Sequence, residues 1–399
     1  MITRNFYIDK ISPFLGKRPV KVVTGMRRAG KSYFLRSLIE HLVRQGTPRK
    51  RIIYVDKESL DFDAIRDYRD LQKYVATMKT GSGKTTVIVD EVQSVEGWER
   101  AVADWSGRED FDVLVSGSNA GMLSGELATL IAGRYIEFPI FPLSFGEFRQ
   151  FHDLQDSALE EAFRKYMRFG GLPGLREFGP LSENVFLPFV SGIYSTIMLK
   201  DVVSRHQIRN PALLEAVARF LFDNIGNPTT SNRIHAFLKN QKISVGVPTI
   251  LNYMQWFEDA HLTRRVRLYD IKGKRHLEIN EKHFLTDLGL RAALLGHRDS
   301  DISGTLENII CMELLRRGWQ VSVGRMGSAE VDFVAVRGGE KLYVQVAYLL
   351  ASKSVVEREI APLLDIRDNY PKLLLTLDRD LGNDVEGIRR LYIPDWLLE

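Results

Sequence analysis

The chain is short of cysteine and of long apolar runs. Its 399 residues include one cysteine, Cys311, which excludes an intrachain disulfide and a cysteine-based metal cluster. We expect Cys311 to pack in a core and the protein to work in a reducing, cytoplasmic setting. The longest apolar stretch, residues 186–199, is interrupted by Pro188 and Gly192 and falls short of a membrane span. The amino terminus lacks an apolar signal segment, so we expect neither export nor a membrane anchor.

A strong net charge of either sign is also missing. The chain has 55 lysine and arginine residues against 51 aspartates and glutamates, which gives a formal net charge of +4. This balance is compatible with nucleic acid binding but does not require it. The length exceeds what one small core supports, so we expect two or three domains.

The sequence does contain a glycine-rich loop in a strand-loop-helix context. Residues 20–24 (VKVVT) predict a buried strand, residues 25–32 (GMRRAGKS) match the pattern GxxxxGK[ST], and a helical pattern follows. Glycines in this arrangement let backbone N–H groups wrap a phosphate at the positive end of the helix. The pattern therefore predicts an ATP-binding P-loop. Its residues are Gly25, Met26, Arg27, Arg28, Ala29, Gly30, Lys31 and Ser32.

Two side chains of this loop have predicted roles toward MgATP. Lys31 is expected to reach the β- and γ-phosphates, and Ser32 is expected to offer its hydroxyl to Mg²⁺. Arg27 and Arg28 lie in the same loop, where a phosphate-facing position and a solvated position both stay open. We favour the solvated position for both arginines.

A second motif predicts hydrolysis in addition to binding. Residues 86–90 (TVIVD) have the pattern of a buried parallel strand, and they end in the pair Asp90 and Glu91. Asp90 is expected to hold Mg²⁺ through water, and Glu91 to polarise the attacking water as a general base. The alternative is a pair of solvated carboxylates at a strand end, which is less compatible with a preceding P-loop.

Two other segments resemble nucleotide-binding features. The segment GSGKTT, residues 81–86, lacks the first glycine of the P-loop pattern and precedes a strand, so we interpret it as a flexible loop. Residues 112–116 (DVLVS) predict another buried strand, after which Ser118 or Asn119 is a candidate sensor of the γ-phosphate. An ordinary turn role for Asn119 stays open.

Taken together, five segments resemble a known family. GMRRAGKS, VIVDEVQ, VLVSGSNAGMLSGEL, AGRYIEFPIFPLSF and FGGLP are similar to motifs of prokaryotic AAA+ ATPases that carry a carboxyl-terminal DUF4143 region. The resemblance extends from residue 24 to about residue 369. It implies an ASCE-type P-loop sheet with a helical lid. It also implies that Arg134 stabilises charge on the γ-phosphate, either in cis or from a neighbour in a homo-oligomer, although an ordinary ion-pair role stays open.

The middle of the chain predicts a winged-helix-like domain. Three helical segments are followed by residues 262–279, which have the pattern of a hairpin. One interpretation is that double-stranded DNA contacts residues 248–276 through a helix in the major groove and a basic wing. The alternative is a protein-interaction module with a solvated basic rim and a core of Met254, Trp256 and Phe257. The wing residues are Arg264, Arg265, Arg267, Lys272, Lys274 and Arg275, interleaved with Tyr269 and His276.

The carboxyl-terminal quarter resembles a PD-(D/E)xK nuclease core of αββα order. Glu307, Asp332 and Gln345 take the places of its acidic motif residues. The motif lysine that would activate water beside a metal-bound carboxylate is replaced by Ala347, and Lys353 is a distant substitute. The resemblance therefore implies a degenerate nuclease fold without cleavage.

These observations predict an α/β protein of four parts. They are a P-loop ATPase core (1–150), a helical lid and connector (151–210), a winged-helix-like domain (211–295) and a nuclease-like DUF4143-type domain (296–399). The predicted function is Mg-dependent ATP hydrolysis coupled to DNA or protein binding. The alternatives are an ATP-gated binding switch with little turnover and a DNA nuclease.

Overall fold

The protein is described here from a computed structural model of residues 2–123, 130–131, 133–297, 302–379 and 384–399. Residues 124–127 and 132, which belong to two of the family motifs, lie outside these ranges. The chain divides into two compact units. The first comprises Met1–Pro142 with Asp259–His261, and the second comprises Leu143–Glu258 with Leu262–Glu399.

The first unit is built on a five-stranded parallel sheet of order β2-β3-β4-β1-β5. Its strands are β1 (Val20–Thr24), β2 (Ile52–Asp56), β3 (Thr85–Asp90), β4 (Phe111–Gly117) and β5 (Tyr135–Pro139). Its helices are α1 (Asn5–Ile11), α2 (Lys31–Arg44), α3 (Tyr68–Met78) and α4 (Trp98–Ser106). The predicted strand, loop and helix around the P-loop are therefore confirmed.

Both faces of this sheet are covered, which explains the unbroken apolar runs of its strands. On β3, Val87 and Val89 pack into a core with α3 and α4. The alternate residue Ile88 packs with α1 and α2. Because side chains alternate between the faces of a strand, a strand buried on both sides is apolar along its middle. The acidic residues Asp90 and Glu91 stand at its carboxyl end.

The second unit contains a nine-stranded mixed sheet of order β13-β14-β12-β11-β10-β9-β7-β8-β6. Its strands are β6 (Pro228–Thr229), β7 (Thr263–Asp270), β8 (Arg275–Leu285), β9 (Gln320–Met326), β10 (Ala329–Arg337), β11 (Glu340–Ala347), β12 (Lys372–Thr376), β13 (Asp384–Val385) and β14 (Ile388–Tyr392). Its helices are α5 (Phe145–Phe151), α6 (Leu159–Phe169), α7 (Glu183–Thr196), α8 (Pro211–Asp223), α9 (Ser231–Asn240), α10 (Val247–Asp259), α11 (Leu288–Leu295), α12 (Ile302–Arg316), α13 (Lys353–Leu364) and α14 (Ile393–Trp396).

The predicted winged-helix segment has its expected helices and hairpin, but the hairpin is not the edge of a separate small sheet. Strand β7 pairs in parallel with β9, so the hairpin of β7 and β8 continues into the carboxyl-terminal sheet. Within the α10 segment Met254 and Phe257 are buried, as the interaction-module alternative expected. Trp256 stacks on His206 with ring centroids 4.2 Å apart.

The nuclease-like segment has one more strand than the sequence indicated. Helix α12 is followed by β9, β10 and β11 before α13, so the order is αβββα instead of αββα. Strand β9 escaped prediction because its sequence, QVSVGRM, mixes polar and apolar residues and includes Gly324. Cys311 lies buried in α12, in agreement with a packing role.

One expectation about the apolar stretch was wrong. Neither Pro188 nor Gly192 interrupts the helix: α7 contains Pro188 and continues as a π-helix over Ile197–Ser204. Among the described residues this one helix, Glu183–Ser204, has the length and composition that could cross a membrane, and 44% of its most apolar window is buried in the protein. A core helix of a soluble protein meets the same criteria.

Candidate active site

The P-loop between β1 and α2 has a backbone that requires glycine at two positions. Gly25 has φ 145° and Gly30 has φ 97°, values that L-residues rarely adopt. A Cβ at Gly25 would lie 2.3 Å from the carbonyl oxygen of Ile140. The loop therefore turns sharply and delivers Lys31 to the first position of α2, where the free N–H groups of the helix face any bound anion.

Lys31 is buried and folded back over the loop. Its Nζ lies 3.1 Å from the Gly25 carbonyl oxygen and 3.3 Å from the Met26 carbonyl oxygen. The same Nζ is 3.3 Å from Oε1 of Glu91. The predicted P-loop lysine and the predicted general base are thus in direct contact.

Asp90 ends β3 in a buried polar pocket. It accepts hydrogen bonds from the hydroxyls of Ser116, Ser32 and Tyr54, the last at 3.1 Å. Burial raises the pKa of the Asp90 carboxyl, and the hydrogen bonds from Ser116 and Ser32 oppose that rise. The structure therefore brings together the two oxygen donors, Ser32 and Asp90, that were predicted to hold Mg²⁺.

Glu91 follows in the left-handed conformation, with φ 52°, and this turn directs its side chain back to the P-loop lysine. Its carboxylate also accepts hydrogen bonds from Gln93 and from Ser118, the latter at 3.2 Å. Burial alone would raise the pKa of Glu91, but Lys31, Gln93 and Arg27 together hold that pKa below its ordinary value. Glu91 is therefore an ionised carboxylate with a fixed orientation.

The two sensor candidates lie in different environments. Ser118 contacts the Glu91 carboxylate, so it belongs to the site. Asn119 is buried, and its Oδ1 accepts a hydrogen bond from the Gly121 amide. That bond stabilises the turn after β4, which is the ordinary turn role that the sequence left open.

The three arginines considered from the sequence lie in different environments. Arg27 pairs with Glu58 at 3.0 Å, while Arg28 is exposed with φ 64°. Arg134 precedes Tyr135, which pairs with Val20 at the amino end of β1. The P-loop follows the other end of β1, four residues or about 13 Å away. The structure therefore does not bring Arg134 to the P-loop of its own chain.

Four contributors to this site were missed by sequence reasoning, and one of them is Ser116, whose hydroxyl donates to Asp90. Gln93 and Tyr54 hold the two carboxylates, and Arg4 donates a hydrogen bond to the Ala29 carbonyl oxygen of the P-loop at 3.1 Å. Arg4 and Tyr54 lie outside every motif, so only the fold reveals them. Gln93 stands in the quoted motif VIVDEVQ and could have been noticed as a polar neighbour of Glu91.

A second group of buried charges occupies the nuclease-like part. Asp332 on β10 accepts a hydrogen bond from the Val346 amide at 2.8 Å, and its own amide lies 3.4 Å from Oε1 of Gln345. Glu307 on α12 pairs with Lys282 at 3.1 Å, and Lys282 also pairs with Glu330 at 2.7 Å. Lys282 comes from β8, far from any nuclease motif, and sequence reasoning missed it.

In this cluster a single buried lysine, Lys282, interacts with three acidic side chains. Burial opposes a charged Lys282, but Glu307, Asp332 and Glu330 raise the pKa of that lysine above its ordinary value. Burial and the Glu307 charge raise the pKa of Asp332 well above its ordinary value, and Lys282 partly opposes this. Lys353, the substitute considered from sequence, is 91% exposed and pairs with Glu357, so it is not part of the cluster.

The basic wing has paired and exposed portions. Arg265 pairs with Glu258 at 3.2 Å, and Arg267 lies 3.6 Å from Glu281. Lys272, Lys274 and Arg275 are exposed at the turn between β7 and β8. The cations that are most accessible therefore lie at the tip of the hairpin.

Comparison with known proteins identifies a domain family over the residues that form the P-loop site. A family model described as an AAA domain matches residues 17–149. A second model, a domain of unknown function (DUF8612), matches residues 160–301. DUF8612 is a different family from the DUF4143 region that the sequence motifs suggested.

Full-length relatives and one solved structure extend the comparison. An uncharacterized protein of Haemophilus influenzae is 36% identical over 100% of this chain and 99% of its own length. An uncharacterized protein of Methanocaldococcus jannaschii is 28% identical over 94% of this chain and 85% of its own length. A Walker-type ATPase of Pyrococcus abyssi has a similar fold, with a TM-score of 0.51, 14% identity and coverage of 74% of this chain and 96% of that one.

Proposed function

Because the chain belongs to the same AAA-domain, P-loop family as its Haemophilus influenzae relative, we propose that it binds MgATP at Gly25–Ser32 and hydrolyses it. The observation that carries this proposal is the contact of Lys31 with Glu91 at 3.3 Å. An ionised base lies beside the lysine of a phosphate loop, where a γ-phosphate and its attacking water would meet.

The residues of the site fit a magnesium nucleotide. Ser32 and Asp90 are the oxygen donors that would hold Mg²⁺, and the interaction between their side chains supports this assignment. Bound Mg²⁺ would supply positive charge to the β- and γ-phosphate oxygens. Lys31 would exchange the two carbonyl oxygens of its own loop for phosphate oxygens, which carry more negative charge.

Glu91 is held ready to take a proton from water. Gln93 and Ser118 fix its carboxylate, and a base that is already oriented loses little entropy when the reaction begins. Once Lys31 turns to phosphate, the Glu91 carboxylate loses its ion-pair partner and becomes the stronger proton acceptor. The binding of nucleotide would therefore activate the base.

Phosphate release measured with and without Mg²⁺ tests this proposal. We expect steady-state release of phosphate from ATP by the full chain in Mg²⁺, and its loss in excess EDTA. The variant Asp90→Asn should lower the rate by about 100-fold or more, within the range for losing a metal or acid-base contact. As a matched control, Asp104→Asn changes an exposed aspartate of α4 and should leave the rate unchanged. Equal rates for Asp90→Asn and the wild type would refute the role of Asp90.

A second candidate function is an ATP-gated DNA-binding switch, which the exposed basic tip of the hairpin favours. Lys272, Lys274 and Arg275 could contact the phosphate backbone while α10 lies in the major groove. We expect double-stranded DNA to bind more tightly in one nucleotide state than in the other, with an affinity that falls as salt rises. The triple change Lys272→Glu, Lys274→Glu, Arg275→Glu should reduce both the affinity and the salt slope. A protein-interaction module would instead show no DNA binding in either state.

The nuclease alternative is disfavoured by the charge cluster of Lys282. The ammonium of Lys282 already neutralises Glu307, so a divalent metal would have to displace a buried ion pair to reach that carboxylate. We propose a nuclease-like fold that has lost cleavage. Incubation of the full chain with plasmid and single-stranded DNA in Mg²⁺ or Mn²⁺ should leave both intact; cleavage that Asp332→Ala abolishes would overturn this.

A further inference from the structure

Arg27 of the P-loop is half-buried, whereas its neighbour Arg28 is exposed. The Ala29 amide donates to the Met26 carbonyl oxygen at 3.1 Å, which closes a tight turn with the two arginines at its centre. Arg28 takes the left-handed conformation in this turn, with φ 64°. The side chain of Arg27 is 15% exposed and contacts Glu58. It is therefore not the solvated side chain that the sequence favoured.

The contact between Arg27 and Glu58 crosses the carboxyl edge of the first sheet. The P-loop follows β1, and Glu58 follows β2. Strands β4 and β3 lie between β1 and β2, so the two loops start roughly 14 Å apart, at about 4.8 Å for each strand spacing. The ion pair, 3.0 Å long, therefore joins these loops across the ends of β3 and β4. Asp90, Glu91 and Ser118 lie at those ends.

Two further observations place this ion pair beside the proposed general base. The Lys57 amide donates to the Asp90 carbonyl oxygen at 3.2 Å, so the loop that contains Glu58 lies against the end of β3. The charge of Arg27 is also one of the causes that lower the pKa of Glu91. Because a charge acts more strongly on a carboxylate at short range, this effect agrees with a guanidinium on the Glu91 side of the site.

The Glu58 carboxylate is a partner that a phosphate is able to replace. Its side chain is 49% exposed, so water screens the ion pair and the pair contributes little to stability. A γ-phosphate carries more negative charge than one carboxylate, and a guanidinium binds phosphate oxygens in a bidentate geometry. An arginine that neutralises the transferring phosphoryl group is also one of the recurring parts of phosphoryl-transfer sites.

We propose that Arg27 is the charge-stabilising arginine of this site, supplied by the P-loop of the same chain. Its guanidinium would pass from Glu58 to the γ-phosphate of bound MgATP. Water would then add to the γ-phosphorus, Glu91 would take a proton from that water, and the bond to the β-phosphate oxygen would break with its electron pair left on ADP. The motif resemblance gave this role to Arg134, which lies at the other end of β1. The proposal rests on the proposed ATP hydrolysis and adds a residue to it.

Steady-state hydrolysis by the full chain separates turnover from binding. Arg27→Ala should lower kcat by about 1,000-fold, the lower end of the range for such an arginine, and should raise the ATP dissociation constant less than about tenfold. Arg27→Lys keeps the charge without the bidentate geometry and should recover roughly tenfold of that loss. As a control, Arg108 pairs with Asp110 at the same 3.0 Å but precedes β4, at the amino edge of the sheet. Arg108→Ala should change kcat by less than about twofold.

A mimic of the transition state gives a readout that a merely structural ion pair would not move. Aluminium fluoride beside ADP imitates the planar phosphoryl group, which an arginine of this kind would stabilise. We expect the wild type to retain ADP when aluminium fluoride is present and Arg27→Ala to release it, although both should bind ADP alone within about threefold of each other. Glu58→Gln should retain ADP as the wild type does, because Glu58 is the partner that phosphate replaces.

The outcomes distinguish a failure of this proposal from a failure of the proposed ATPase. If Arg27→Ala hydrolyses ATP within about twofold of the wild type, the role of Arg27 is wrong and the ATPase stands. Equal losses of hydrolysis in Arg27→Ala and Glu58→Gln, with ADP retained by both in aluminium fluoride, would show that the ion pair only ties two loops together. A wild-type chain that binds no ATP would overturn the proposed function and the role of Arg27 with it.

Discussion

Lys31 in the first unit and Lys282 in the second are both buried beside carboxylates, and their comparison shows two uses of an ion pair. In the first unit Lys31 contacts one carboxylate and two backbone carbonyl oxygens of a glycine loop. In the second unit Lys282 lies between the carboxylates of Glu307 and Glu330. The partners of Lys31 are weak enough to be exchanged for phosphate, whereas those of Lys282 neutralise it fully.

The difference depends on the backbone around each lysine. Gly25 and Gly30 hold the P-loop in conformations that expose N–H groups to a ligand. Lys282 lies in the middle of β8, where the amides are committed to neighbouring strands. A buried lysine beside acids therefore indicates a ligand site only when the backbone also leaves donors unpaired.

The largest effect is expected from removing the lysine of the second unit. Lys282→Met leaves the buried Asp332 and the partly buried Glu307 and Glu330 without their cation, and it should lower the free energy of unfolding by about 3 kcal/mol. Urea denaturation of the full chain measures this. Lys353→Met, at an exposed lysine, should change stability by less than about 0.5 kcal/mol. Equal stabilities of the two variants would contradict a structural role for Lys282.

The pH dependence of stability should have a contribution from Asp287 in the second unit. This carboxyl accepts hydrogen bonds from Gly171 at 2.6 Å and Gly289 at 2.8 Å, but burial raises its pKa to about 6 from 3.8. The folded state therefore keeps the proton longer than the unfolded state. Asp287 therefore makes its whole contribution to the free energy of unfolding below pH 4. That contribution, roughly 3 kcal/mol, is lost as the pH rises to 6.

Replacing Asp287 isolates that contribution. Asp287→Asn cannot titrate, so the fall in unfolding free energy between pH 4 and pH 6 should be smaller in the variant than in the wild type. Asp365→Asn, at an exposed position of the same unit, should retain the wild-type slope. The slopes are compared because the amide of the asparagine also disturbs the bond to Gly171. Identical slopes in all three proteins would refute the role of Asp287.

Removal of the P-loop lysine should affect binding. Lys31→Ala should weaken ATP binding by about 100-fold or more, near 2.7 kcal/mol, because a buried cation beside the phosphates is lost. Lys84→Ala changes the lysine of the segment GSGKTT and should leave ATP affinity unchanged. Residues 81–84 of this segment form the predicted loop, whereas Thr85 and Thr86 already belong to β3. If Lys84 mattered as much as Lys31, the assignment of the P-loop would be wrong.

The smallest effect is expected at Arg134. Since this residue lies at the amino end of the sheet, Arg134→Ala should change ATP hydrolysis by a dilute, monomeric sample less than about twofold, a change that corresponds to under 0.5 kcal/mol. A role in a neighbour's site would appear as a rate that rises with protein concentration in the wild type and not in the variant. A large loss in a sample shown to be monomeric would contradict the observed placement.

The sequence predicted those features well that are determined by the residues of a single segment. The P-loop, the strand ending in Asp90 and the order of helices in the middle of the chain depend on nearby residues, and all are present. It did not predict contacts between distant segments. Lys282 reaches Glu307 from another element, and Arg134 was assigned from its motif without the strand register that separates it from the P-loop. Such contacts depend on sheet pairing, which no local pattern encodes.

The central claim is that Glu91 is the base of an ATPase, and Glu91→Gln tests it most directly. Glutamine preserves the size of the side chain and keeps one acceptor oxygen, which can still accept from Gln93 and Ser118, but it cannot take a proton from water. Nucleotide affinity and phosphate release should be measured on the same preparation. We predict an ATP dissociation constant within about threefold of the wild type and hydrolysis reduced about 100-fold or more. Hydrolysis at the wild-type rate by this variant would contradict the account.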